Sequence, residues 1–240
     1  MDLKKIGLIG LIIMGMAAIW ALMIKDVLSN QGNRRVKNYY QAKAYYLPVI
    51  WGENAKTFYY GCSMTEKWIN AKSCGYEAKN DSRRSKVREW EHIVPASRFG
   101  ALIQECRGVK PRRACLRKKS EIFNRMEADL HNLVPAVGSL NAARRNFSFG
   151  IIPGEIRDYG DCDFELKNGI VEPRESVRGD IARAYLYMAK AYPGYVYLTA
   201  AEKIKFDAWN KLDPPSAEER SSNRKIEEIQ GNGNPFIGDR

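Results

Sequence analysis

The chain has 240 residues, enough for one domain with elaborations. Its 39 Lys+Arg against 28 Asp+Glu leave a formal charge of +11, which favours a polyanionic partner such as nucleic acid or an acidic membrane surface. Two histidines and no Cys-x-x-Cys pair deprive a zinc-finger reading of its ligands.

Met1 to Lys5 is a short basic start, and Ile6 to Ile24 is an uninterrupted apolar run. As a helix that run would measure roughly 28 Å, about the thickness of a bilayer's hydrocarbon core. It reads as a signal peptide or an uncleaved signal-anchor over residues 1–24. The run is longer than a usual signal core, and no small-x-small site precedes Lys25-Asp26, so an anchor is the favoured form. With Lys4 and Lys5 held inside, the remainder would be exported. Residues 25–36 then form a polar tether, and 37–240 the exported domain.

Export makes disulfides plausible. Of the five cysteines, Cys62 with Cys74 and Cys106 with Cys115 would close the shortest loops, and Cys162 is left over.

The first element of the domain is a helix within Tyr39–Tyr60, broken at Trp51-Gly52. Phe58 to Gly75 is β-like and cysteine-bounded. A basic lead-in, Asp81 to Arg88, runs into Trp90-Glu91-His92-Ile93-Val94-Pro95. There a carboxylate and an imidazole sit side by side on a short strand stopped by proline, offering a metal ligand and a general base on opposite faces. A lone histidine is more often structural than catalytic, so the pair requires company. Arg98 to Lys119 is a second basic concentration, including Arg107, Lys110, Arg112, Arg113 and Arg117. Two such runs flanking one candidate base favour a phosphate-binding surface over a merely solvated face.

Leu130 to Val134 is a second apolar run ended by proline, again strand-like. A helix over Ala136–Asn146 follows, with Asn141, Arg144 and Arg145 on one face. Ile181, Ala184, Tyr185 and Met188 mark an amphipathic helix that stops before Pro193-Gly194. Another spans Ala200–Leu212, its aromatic residues read as core and not as stacking platforms. Ala217 to Arg240 reads as a polar tail with a turn at Asn232-Gly233-Asn234-Pro235.

Several of these segments together resemble the bacterial endonuclease I family. The likeness is carried by Glu89-Trp90-Glu91-His92-Ile93-Val94-Pro95-Ala96, by Met126-Glu127-Ala128-Asp129-Leu130-His131-Asn132-Leu133-Val134-Pro135-Ala136, and by Gly138, Asn141, Arg144 and Asn146-Phe147. Ser73-Cys74-Gly75-Tyr76, Arg178-Gly179, Ile181-Ala182-Arg183, Ala208-Trp209-Asn210-Lys211 and Ile229-Gln230-Gly231-Asn232 extend it over residues 58–236. The resemblance implies an α+β fold, a mainly helical scaffold around a ββα-metal (His-Me finger) motif. It also implies a monomeric, periplasmic or secreted nuclease that cuts DNA, and RNA too, without sequence preference.

By the same resemblance His92 is the general base. Glu91 and Asn141 bind one Mg²⁺, and Arg112 and Arg144 contact phosphate. His131 and Asn132 support the site from behind. The products would carry 5′-phosphate and 3′-hydroxyl ends. A carboxylate and an amide oxygen suit Mg²⁺, a hard ion that keeps several waters. The sequence departs from the family where Tyr60 replaces the first cysteine of Cys-Gly-Cys, and a C-terminal cysteine pair is missing, which implies that Cys162 is a free thiol. Asn141-Ala142-Ala143-Arg144 stands for Asn-Gly-Asp-Arg, and Asn232-Gly233-Asn234-Pro235 for Asn-His-Asn-Pro. The competing reading is a catalytically silent, membrane-anchored DNA-binding protein. Binding alone would not require Glu91, His92, Arg112 and Asn141 together.

Overall fold

The computed structural model describes residues 32–52, 55–154, 156–161 and 163–238. The apolar run Ile6–Ile24, most of the tether and Cys162 lie outside them. Among the described residues no helix is long and apolar enough to cross a membrane. The architecture is mixed, helices around two small sheets, in agreement with an α+β class.

Residues 32–36 are not a free tether but part of the domain. Asn33 is buried; its backbone N–H reaches Asp129 Oδ2 at 3.2 Å and the Tyr192 hydroxyl at 2.8 Å. Its amide donates to the carbonyls of Val36 and Arg125 at 2.6 and 3.1 Å. From this foothold the chain enters a helical segment, Tyr39–Gln41, a π turn Ala42–Tyr46, and Leu47–Trp51. Asn38 caps its start by accepting the Gln41 N–H. Gly52, at φ 54°, ends it where the sequence places the break.

The region 58–75, read as β-like, holds only isolated bridges (Lys56 with Ser63, Met64 with Ile69, Trp68 with Val87) and a 3₁₀ turn, Ala71–Ser73. The Cys62–Cys74 disulfide closes it, in place of a continuous ladder.

Strand β1 (Arg88–His92) pairs antiparallel with β2 (Leu133–Val137), with Glu91 opposite Val134 and His92 opposite Leu133. Between them lie α1 (Ala96–Gly100), α2 (Arg112–Lys119) and α3 (Glu121–Glu127). The second basic run is therefore in large part a helix, joined to the loop before it by the Cys106–Cys115 disulfide. The second strand begins three residues later than its apolar run suggests, because Leu130–Asn132 forms a 3₁₀ turn capped by Asp129. Helix α4 (Gly138–Arg144) follows β2 directly, completing a ββα unit. A Cβ at Gly138 would lie 2.8 Å from the Arg84 carbonyl oxygen and 2.9 Å from Glu89, so glycine lets the first turn sit against the strand. Arg145, at φ 51°, leaves the helix and the face shared by Asn141 and Arg144.

The second sheet runs β3 (Ser148–Phe149), β5 (Ile170–Pro173), β4 (Phe164–Lys167) in spatial order. Helices α5 (Arg178–Ala191) and α6 (Ala200–Leu212) pack as a pair, with Tyr185 stacked on Phe206 at 4.4 Å. The stripe Ile181, Ala184, Tyr185 and Met188 is buried, as its spacing predicts. The expected polar tail is corrected: Ala217–Gln230 is helix α7, capped by Ser216 and closed by Gly231 in the left-handed region. Gln230 is buried and ties the helix to the 3₁₀ turn, accepting the Leu130 N–H at 2.8 Å and donating to Asp129 Oδ1 at 3.0 Å. Asp129 thus gathers the N-terminal segment, α5 through the Tyr187 hydroxyl (2.8 Å), and α7.

Arg98 and Glu202 cross-link α1 to α6 with two bonds of 2.6 and 2.7 Å. The arginine, together with the Thr199 cap, holds the Glu202 carboxyl down at about 2. A folded-state value below the ordinary 4.5 stabilises the fold above 4.5 and loses that contribution as pH falls towards 2. Glu202→Gln should accordingly lower the melting temperature at pH 7. In melts taken across pH, the gap to the wild type should close as pH falls through that window.

Candidate active site

Side chains alternate along β1, so Glu89 and Glu91 face α4 while Trp90 and His92 face the other way. Two rungs connect strand to helix: Glu89 with Asn141, and Glu91 with Arg144. On the opposite side His92 meets the end of α3 and the helical segment that begins at Tyr39. Glu91, His92, Arg112 and Asn141 all border one cavity of about 1490 Å³. Tyr39, Lys43 and Trp51 of the N-terminal helical segment, together with residues 64–67, contribute further to its walls.

His92 is 8% exposed, and its Nε2 lies 2.8 Å from the Glu127 carbonyl oxygen. A carbonyl can only accept, so Nε2 carries the hydrogen and Nδ1 keeps a lone pair. The ring lies against Tyr39, centroids 5.3 Å apart and planes at 34°. Burial first, and then the charge of Arg113, lower the His92 pKa to about 4. The imidazole is therefore neutral at pH 7, as an acceptor must be.

Glu91 is 3% exposed, and burial raises its pKa to about 7 against the opposing pull of Arg144. Its Oε1 accepts from the Tyr59 hydroxyl at 3.1 Å and from Arg144 Nη1 at 3.0 Å. Among the described residues Oε2 takes no hydrogen bond. Asn141 shows the same division, with Nδ2 donating to Glu89 Oε2 at 3.0 Å and Oδ1 without a donor among the described residues. Two hard oxygen acceptors on one cavity fit a magnesium-type cation. Among the described residues no cluster of three or more His, Cys, Asp or Glu side chains gathers there or elsewhere. A cation held by this pair would retain several waters, as Mg²⁺ prefers.

The arginines divide into different tasks. Arg112 donates to the carbonyls of Gly100 and Ala101 at 3.2 Å and of Ile103 at 2.6 Å, which fixes it at the end of α1 and on the cavity wall. Its Nη1 has no hydrogen bond among the described residues. Arg113 and Arg117 both bind the buried carboxylate of Glu127, whose carbonyl holds His92. Arg144, expected on phosphate, is 1% exposed, its Nη1 on Glu91 and on the His92 carbonyl (2.9 Å), its Nη2 on the Ile93 carbonyl (2.5 Å). Its flat face rests over Phe149 at 4.7 Å. It pairs with Glu91 as a buried counter-ion while also bordering the cavity.

His131 lies off the cavity, its Nε2 3.0 Å from the Asn232 carbonyl oxygen and its ring edge-on to Tyr187 at 4.6 Å. Asn132 mimics one further rung of the sheet. It accepts the Val94 N–H at 2.7 Å and donates to the Val94 carbonyl at 3.0 Å, two residues beyond His92.

Sequence reasoning passed over Glu89, Tyr59, Tyr39 and Glu127. Glu89 was within reach, since a residue two before Glu91 on a strand must share its face. The others meet the site only through tertiary packing, across 32 residues for Tyr59 and 35 for Glu127.

Residues 24–240 match the sequence model of the Endonuclease I family. The chain is 40% identical to an extracellular deoxyribonuclease of Aeromonas hydrophila, over 78% of this chain and 84% of the relative. It is 39% identical to a periplasmic deoxyribonuclease of the same organism, over 80% and 81%. With Endonuclease-1 of Buchnera aphidicola, from Acyrthosiphon pisum, it shares 37% identity over 85% and 82%. A cavity built around Glu91, His92 and Asn141 and a match from residue 24 to the last agree, and the chain belongs to the endonuclease I family.

Proposed function

We propose that this endonuclease hydrolyses phosphodiester bonds of DNA, and of RNA, without sequence preference and with Mg²⁺, acting outside the cytoplasm. The observation that carries the reading is the pairing of a neutral imidazole, its Nε2–H tied to a carbonyl, with two undonated oxygens on the same cavity. His92 Nδ1 would take a proton from the attacking water as the new O–P bond forms. The bond to the 3′ oxygen then breaks, that oxygen keeps the electron pair and gains a proton from solvent, and the phosphate stays on the 5′ side. Glu91 and Asn141 would hold the cation, which neutralises charge on the phosphate and on the leaving oxygen. Arg112 would meet non-bridging oxygens through the donors its carbonyl contacts leave over.

Backbone contacts carry no sequence information, in keeping with nonspecific cutting. The two disulfides, the basic start before an apolar run, and the names of the Aeromonas relatives support an extracytoplasmic location. Incubation with supercoiled plasmid tests the activity. Nicking with Mg²⁺ should be abolished by EDTA and restored by excess Mg²⁺, leaving ends that a ligase can rejoin. Binding without nicking in both conditions would favour the catalytically silent protein.

A further inference from the structure

We infer that Glu89, clamped by Arg84, is a positioning residue that sets which end of the Asn141 amide faces the cation site. This rests on the assignment of Glu91 and Asn141 as the cation's ligands. A carboxamide is nearly symmetric in shape, and a half-turn about its last bond exchanges oxygen for nitrogen. Only the oxygen can ligate a cation, so an unrestrained asparagine is a ligand for part of the time.

Glu89 removes the ambiguity. Its Oε2 accepts from Asn141 Nδ2 at 3.0 Å. In the flipped orientation the amide oxygen would face a carboxylate oxygen, a repulsive contact with no hydrogen to share. Arg84 holds that carboxylate through both oxygens, Nε to Oε1 at 2.7 Å and Nη2 to Oε2 at 2.6 Å. The fork fixes the plane of Glu89 and balances its charge, so that it orients the ligand without competing for the ion. The close fit of Gly138 against Arg84 and Glu89 keeps the start of α4 in register with this pair.

The expected signature is a loss of metal affinity that depends on the ligand being an amide. In calorimetric titration with Mn²⁺, Glu89→Gln should weaken binding about 10- to 100-fold, the usual scale for partners that orient a ligand. Plasmid nicking by this variant should recover as Mg²⁺ is raised. In an Asn141→Asp background the same change should cost no affinity, because a carboxylate has two equivalent oxygens and nothing to orient. Should Glu89→Gln fail to fold, Glu89→Asp keeps the charge for Arg84 but withdraws it from Asn141, and should weaken Mn²⁺ binding too. A folded Glu89 variant with wild-type affinity would overturn the inference, as would an equal penalty in the Asn141→Asp background. Glu91→Ala and Asn141→Ala separate the two levels: wild-type Mn²⁺ affinity in both would instead remove the ligand assignment on which the inference rests.

Discussion

His92→Ala is expected to slow plasmid nicking in Mg²⁺ by about 10²- to 10⁴-fold, the usual contribution of a positioned general base. Substrate binding should change little, since the ring is 8% exposed and offers substrate a small surface. The loss should therefore fall on the rate at saturating DNA and not on the apparent affinity. Thermal melting is the control, because the ring also packs against Tyr39 and bonds to the Glu127 carbonyl. Rates are compared only under conditions where the variant is folded. Undiminished nicking by a folded variant would remove His92 from the mechanism.

Arg144→Met is expected to destabilise the fold by about 3–5 kcal/mol, the scale for stranding one partner of a buried ion pair. Methionine leaves Glu91 without its counter-ion, and the carbonyls of His92 and Ile93 lose their donors. Urea unfolding measures the loss. Nicking should fall as well, because Glu91 is held between Arg144 and Tyr59. Adding Glu91→Gln to Arg144→Met should recover part of the stability and none of the activity, since the stranded charge is gone but so is the carboxylate. A phosphate-gripping arginine would behave differently. Its removal would leave stability unchanged and flatten the salt dependence of DNA binding by about one contact, and that outcome would return Arg144 to the substrate.

The parts of the site that sequence revealed are those written in local pattern. Alternation about Glu91 and His92 places them on opposite faces, and helical spacing puts Asn141 and Arg144 on one face; both hold in the structure. Helix α6 occupies the expected Ala200–Leu212, between the Thr199 cap and the prolines that follow. Two misses were locally encoded but unread. Ser216 and Glu219 stand at the spacing of a capping motif and start α7, within what was read as a tail. Asn168-Gly169, both at positive φ, joins the alternating runs of β4 and β5 in the manner of a tight hairpin.

Other features have no local signature. Nothing in Asn141-Ala142-Ala143-Arg144 says that the arginine turns inward, because its partners come from the end of β1 and the residue after it, some fifty residues earlier. The same holds for Arg112, whose carbonyl partners belong to the preceding helix end. A side chain's chemistry can be read from its letter, but whether that chemistry faces solvent or protein is decided by what folds over it.

The bond from His92 Nε2 to the Glu127 carbonyl changes meaning once the ring gains a proton. In the resting enzyme burial disfavours the imidazolium, which keeps the base unprotonated at neutral pH. Were Nδ1 to take the water's proton, as proposed, the Nε2–H bond would become charge-assisted and the ring a cation beside Tyr39. A dipole and a quadrupole that do little for the neutral ring are already aimed at the charge that appears on it. Burial and Arg113 still favour the neutral ring overall, so these two contacts would offset part of the cost of the transient charge, and would do so with no rearrangement at the moment of proton transfer.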